Sequence, residues 1–226
     1  MIYLHNNIKK DIKLYTELHG QRNFSLSDIR KNTTQTTLSS TSTKNEKRKY
    51  GIILGRFQPF HNGHNSIVQD IILDGLEPII IIGSTNIKNN KNPLSFKERK
   101  EIIKELYPKV IIIPSKDYNS WDEWFNDLIK ELYNVGIEPN ECVLYAHNKK
   151  EDYSNFSYNN KHYINEHYTK IFKENDIQIK FLEEYKCNLG LVIHASDIRK
   201  DIEVAKRNLD ARIFNILKEK RFWDKE

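Results

Sequence analysis

Two histidines, His61 and His64, stand three residues apart around Gly63 in the run GIILGRFQPFHNGH, in a chain of 226 residues that holds only eight histidines. Three chemistries use such a pair. The first is anion binding. Gly55 follows an apolar, strand-like run and lets backbone approach a ligand closely. His64 opens the next helical pattern, where free N–H groups and the helix dipole favour negative charge. Imidazoles placed there can donate to phosphate oxygens that gain charge in a transition state, and Arg56 adds a cation to the same turn. The second is metal ligation, which needs a third protein ligand. None follows at a zincin-like distance, and the spacing is not the i, i+4 of HExxH. The third is a purely structural pair, against which stands the position of the run at a strand end.

The elements that must hold these residues are legible in the apolar pattern. Strands are expected at Tyr50–Leu54, Pro78–Gly83, Lys109–Pro114, Cys142–His147 and Gln178–Glu183. Between them lie helical stripes. His64–Leu73 is apolar at positions 67, 68, 71 and 72, the periodicity of a helix with one buried face. Ser95 with Glu98, and Ser120 with Glu123, carry the Ser–x–x–Glu signature of a helix start. The stretch Ser196–Trp223 is expected to be helical. Strands alternating with helices imply right-handed β-α-β units. The expected fold is therefore α/β, a Rossmann-like parallel sheet with helices on both faces. Ligands of such sheets bind beyond the carboxyl ends of the strands. That rule gathers GRFQPFHNGH, GSTNIKNNKNP and SKDYNSW on one rim, with AHNKKEDYSNFSYNN after the fourth strand.

Taken in order, these segments resemble the HxGH nucleotidylyltransferase superfamily. GRFQPFHNGH is similar to the signature of the nicotinamide-mononucleotide adenylyltransferases of the archaeal type and their bacterial relatives. IIGSTNIKNNKNPLSFKERKEII resembles the family's second segment, IIIPSKDYNSWDEW its Pro…Asp…Trp segment, and HASDIR the SxTxxR-type motif that closes the ATP site. The resemblance covers residues 50–205.

It implies adenylyl transfer: the phosphate of nicotinamide mononucleotide attacks the α-phosphate of ATP, giving NAD and pyrophosphate, with Mg²⁺ bound to the phosphates. It also implies roles. His61 and His64 would hold the ATP phosphates in the transition state, with Arg56 on the same chain. Arg199 would grip the β- and γ-phosphates, and Ser196 would cap the last helix and offer its hydroxyl. Gly55, Phe57 and Gly63 would complete the ATP site. On the acceptor side, Lys91 would face the substrate phosphate and Trp124 would stack on the nicotinamide ring, with Asn119, Trp121, Phe60 and Ser84 beside them. Trp124 reads equally well as a core residue of its amphipathic helix. No metal ligand set is assigned to the protein. The sequence departs from the family's pattern at His194, where Ser or Asn is usual, at Ser196, where Thr is typical, and at Lys91, where arginine is common and gives a bidentate fork that lysine cannot.

Composition sets the remaining bounds. Net charge is +5, yet residues 1–50 hold ten Lys/Arg against four Asp/Glu, while the other 176 hold 26 against 27. Residues 1–49 are expected to be a basic, largely flexible extension with short helices, joined by the low-complexity stretch NTTQTTLSSTSTKN, and residues 50–226 to be the nucleotidylyltransferase domain. The chain ends without room for the Nudix domain that follows in some relatives. The near-neutral body argues against a nucleic-acid partner. No run is long and apolar enough to cross a membrane. Two distant cysteines suit a reducing cytoplasm. ATP and nicotinamide mononucleotide are the expected partners, with a homo-oligomer in keeping with the family's habit of assembling. The alternatives are adenylyl transfer to another phosphorylated acceptor, a synthetase-like protein, and a non-catalytic nucleotide sensor that binds DNA through its basic arm.

Overall fold

The computed structural model describes residues 48–147, 169–183 and 185–224. The expectations for the basic extension fall on residues 1–47, and those for the segment after the fourth strand largely on 148–168, both outside the described residues.

Five strands form one sheet: β1 (Tyr50–Gly55), β2 (Glu77–Ile82), β3 (Ile111–Pro114), β4 (Cys142–His147) and β5 (Gln178–Leu182). All pairings are parallel and the spatial order is β3-β2-β1-β4-β5. Among the described residues the long helices are α1 (Asn62–Leu73), α2 (Phe96–Leu106) and α3 (Trp121–Asn134). The short helices α4 (Ala195–Lys200), α5 (Ile202–Asn208) and α6 (Ala211–Glu219) follow β5.

Because side chains alternate along a strand, the isoleucine run of β2 serves both faces at once. Ile80 and Ile82 join Val68, Ile71, Ile102, Ile103 and Ile213 on the face covered by α1, α2 and α6. Ile79 and Ile81 join Ile113, Phe125, Leu128, Leu132 and Phe172 on the α3 face. The expected two-sided α/β sheet is present, with a core on each side. Tyr145 on β4 donates its phenol to Asp74, the C-cap of α1, and Lys180 on β5 reaches the same carboxylate. Burial, then the Asp74 contact, raises the Tyr145 pKa. These ties fix the far end of the helix whose first turn carries the histidines.

Two local expectations are corrected. α1 begins at Asn62, not His64, because His61 is itself the N-cap. The C-terminal stretch is not one helix. Asp201 lies extended (φ −134°) and its Oδ1 accepts from the N–H groups of Glu203 at 2.7 Å and Val204 at 3.2 Å. Asp210 does the same for Arg212 at 2.9 Å. A short acidic side chain offers the backbone an alternative to the continuing helix, and here it restarts the chain in a new direction twice.

Candidate functional site

In the order β3-β2-β1-β4-β5, chain direction around the sheet reverses between β1 and β4, the switch point where such sheets open a crevice. A cleft of 550 Å³ lies there. Its apolar lining comes from Leu54 of β1, Leu144 and Ala146 of β4, Ile179 of β5, and Val192 and Ile193 ahead of α4. Its polar lining includes Arg56, His61, His64, Lys91, His194 and Arg199.

The histidines are arranged by the start of α1. His61 is extended (φ −134°, ψ 175°) and its Nδ1 accepts from Gly63 N–H at 3.2 Å. The His61 N–H in turn donates to His64 Nδ1 at 3.3 Å. This is a capping box built from two imidazoles. The rings stack, with centroids 3.7 Å apart and planes at 30°. Since both Nδ1 atoms accept, the proton of each neutral ring sits on Nε2, so the pair is set as two N–H donors. Gly63 serves this arrangement by leaving room for an imidazole. It lies within the helix, and a Cβ there would sit 3.1 Å from the His61 ring. Phe57 packs edge-on to His64 at 4.8 Å, and Phe60 lies 5.6 Å from it.

Arg199 projects from α4, and its Nη1 donates to the Gln58 carbonyl at 2.7 Å. Burial, and after it the charge of Arg56, lowers its pKa from the usual value. Two guanidiniums held close enough to disturb each other create a positive field that an anion relieves. Among the described residues no cluster of three His, Cys, Asp or Glu could hold a metal ion. The imidazole, guanidinium and ammonium groups that line the cleft are a donor set suited to an anion.

The structure thus brings Arg56, Phe57, His61, Gly63, His64, Lys91 and Arg199 to one cleft. Phe60, expected to bind substrate, is 1% exposed and belongs to the core beneath His64. Gly55 is not among the residues lining the cleft, and a Cβ there would come within 3.0 Å of the Phe57 ring. Ser196 does not cap α4. The chain is extended at His194, which takes the N-cap place, and Ser196 falls in the first turn.

The other acceptor-side residues sit at the neighbouring ends of β2 and β3. Ser84 is buried and donates to Asp117 Oδ1 at 3.0 Å. Trp124 donates to Ser115 Oγ at 2.8 Å, packs against Phe125 and Phe172, and meets Trp121 edge-on at 5.6 Å. It is half-buried, so one side belongs to the core. Asn119 is exposed beside this pair.

Two residues that organise the site were not singled out from the sequence. Gln58 is one. Arg99 is the other, 1% exposed on α2. Its guanidinium donates to the carbonyls of Arg56 at 2.8 Å, Gly83 at 2.6 Å, Ser95 at 3.3 Å and Ser84 at 3.4 Å. It pins the ends of β1 and β2 where Phe57 (φ 49°) and Ser84 (φ 52°) adopt left-handed backbone, a strained geometry that surrounding bonds must sustain. The available signal was an arginine on the stripe Phe96, Arg99, Ile102, Ile103, Leu106, where a core residue belongs. Replacing Arg99 with methionine is expected to cost about 3 kcal/mol in urea unfolding, because several interior carbonyls lose their donor.

Comparison with known proteins agrees with this geometry. The family described as cytidylyltransferase-like matches residues 52–224. A nicotinamide-nucleotide adenylyltransferase of Methanolobus tindarius is 35% identical over 100 residues, 42% of this chain and 54% of that protein. A nicotinamide/nicotinic acid mononucleotide adenylyltransferase of Acinetobacter baylyi is 27% identical over 190 residues, 77% of this chain and 94% of that protein. The crystal structure of a bifunctional NMN adenylyltransferase/ADP ribose pyrophosphatase from Francisella tularensis superposes with a TM-score of 0.60 at 25% identity, covering 78% of this chain and 51% of that one. The chain therefore spans about half the length of the Methanolobus and Francisella proteins.

Proposed function

The chain belongs to the cytidylyltransferase-like family, and on that premise we propose that its cleft transfers AMP from ATP to nicotinamide mononucleotide, forming NAD and pyrophosphate. The observation that carries the reading is the convergence of two Nε2–H donors, Arg56, Arg199 and Lys91 at the switch point of the sheet. The reading places the transferase in residues 50–226.

An oxygen of the mononucleotide phosphate forms a bond to the α-phosphorus of ATP. The bond from that phosphorus to the oxygen bridging to the β-phosphate breaks, and pyrophosphate leaves with the electron pair. The attacking phosphate is already ionised near neutral pH, so no side chain must remove a proton. The protein contributes position and charge. His61 and His64 donate to the oxygens that gain charge, and Arg56 and Arg199 hold the polyphosphate. The apolar lining residues Leu144, Ala146, Val192 and Ile193 suit the adenine ring. Lys91, which lines the same cleft, meets the acceptor phosphate. The Trp121–Trp124 pair at the ends of β2 and β3 offers an aromatic surface to the nicotinamide. Mg²⁺ enters as part of the ATP substrate, held by its phosphate oxygens.

Pyrophosphate release is the test, with nicotinamide mononucleotide, flavin mononucleotide and phosphopantetheine each offered as acceptor beside ATP and Mg²⁺. Release with the nicotinamide nucleotide alone is expected. Release with another acceptor would move the substrate, and none with any acceptor would overturn the reading.

A further inference from the structure

We infer that Gln58 is a positioning residue that sets the Lys91 loop against the phosphate cleft; the inference rests on the transferase reading above. Gln58 is 2% exposed and makes a reciprocal pair of bonds with one residue. Its Nε2 donates to the Leu94 carbonyl at 2.8 Å, and its Oε1 accepts from the Leu94 N–H at 2.9 Å. Leu94 is itself 4% exposed. The side-chain amide thus completes, in the interior, the pairing that a strand neighbour would give that backbone. Both of its polar atoms are used on a chain segment 36 residues away.

Leu94 is the far base of the loop that carries Lys91. The turn above it is closed by its own bonds. Asn92 N–H donates to the Asn89 carbonyl at 2.8 Å, Asn89 N–H returns to the Asn92 carbonyl at 3.3 Å, and Lys91 N–H meets Asn89 Oδ1 at 3.0 Å. A turn rigid within itself moves as a unit with its base. The opposite base is tied to the β3 end, where Thr85 N–H donates to the Ser115 carbonyl at 3.0 Å and Asn86 exchanges bonds with Asp117. Gln58 therefore supplies the tether on the side of the histidines.

The same residue meets Arg199 by a different group. Arg199 Nη1 bonds to the main-chain carbonyl of Gln58, not to the side chain. A change of side chain at 58 leaves that bond in place. Loss of the tether should consequently fall on the acceptor and spare ATP, a split that general loosening of the fold would not produce. A displacement of about 1 Å is enough to lower the rate of an aligned reaction substantially.

The test is a double-mutant cycle of Gln58→Met with Lys91→Ala in the full chain. The KM for nicotinamide mononucleotide and the Kd for ATP are measured in wild type, both single variants and the pair. Gln58→Met is expected to raise the KM for the mononucleotide about tenfold, leave the Kd for ATP within about twofold, and add no further rise once Lys91 is alanine. Equal losses for both substrates, or additive effects of the two changes, would overturn the inference. Should Gln58→Met fail to fold, Gln58→Asn keeps an uncharged amide but withdraws it from Leu94, and is held to the same criteria. A wild type that binds ATP yet makes no product would refute the transferase reading itself, whereas an active wild type with an unaltered Gln58 variant would refute the inference alone.

Discussion

Exchanging His61 for asparagine is expected to leave the melting temperature within a few degrees of wild type while turnover falls about 10²- to 10³-fold. The two halves of this outcome come from two ends of one side chain. His61 caps α1 through Nδ1, which accepts from Gly63 N–H at 3.2 Å. Asparagine is among the best residues for that task, and its Oδ1 occupies a similar place. The bond from the 61 N–H to His64 Nδ1 is main-chain on the donor side and survives. What asparagine cannot reproduce is an N–H donor carried beyond the ring on Nε2, stacked against a second one 3.7 Å away. Thermal melting and kcat on the same preparation separate the roles. A variant with unchanged melting and more than about a tenth of the wild-type turnover would reduce His61 to a helix cap.

The second large effect is expected at Arg199. Methionine there should lower kcat/KM for ATP about 100-fold, the loss of roughly 3 kcal/mol of charge-assisted hydrogen bonding. The fold should tolerate the change, since Arg199 is only partly buried and has one described hydrogen bond, to the Gln58 carbonyl. Lysine at the same position should recover a minor part. A single ammonium restores charge, but it lacks the planar fork that lets one nitrogen hold Gln58 while others face an anion. The salt dependence of ATP binding should flatten in the methionine variant, because one cation of the Arg56–Arg199 pair is gone. Calorimetric titration of ATP at two ionic strengths checks both points. Full recovery with lysine would show that Arg199 acts as a point charge only.

Much of the fold was legible in the sequence because five short apolar runs alternate with helical stripes. Ile79–Ile82 is apolar at every position, which announces a strand covered on both faces, and the two cores divide it residue by residue. The strand-end rule then brought the histidine turn to the correct rim without any side-chain geometry. Where the reading fell short, the reason lies in contacts between distant residues. A histidine cap is outside the Ser/Thr/Asp/Asn signal, so α1 was expected to start too late. Gly63 looks like a turn residue in sequence, yet its use is to leave room for the His61 ring. Phe60 adjoins the motif but points into the core. Apart from the Arg99 bond to Ser95, Gln58 and Arg99 act through side-chain bonds to carbonyls and amides 15 to 43 residues away, and no local pattern reports those. The cleft is lined both by Leu144 on β4 and by Val192 and Ile193 ahead of α4, residues that share no motif. The breaks at Asp201 and Asp210, by contrast, were readable as caps and lay hidden only within an otherwise continuous amphipathic stretch.

The central claim is that AMP itself moves, from the α-position of ATP to the phosphate of nicotinamide mononucleotide. Its most direct measurement uses ATP labelled at the α-phosphate, incubated with Mg²⁺, the mononucleotide and the purified protein, with products separated and counted. Label recovered in NAD, matched mole for mole by unlabelled pyrophosphate and reduced at least 100-fold in the His61→Asn protein, is the predicted result. Label that stays in ATP, or appears only in free AMP or ADP, would contradict the account.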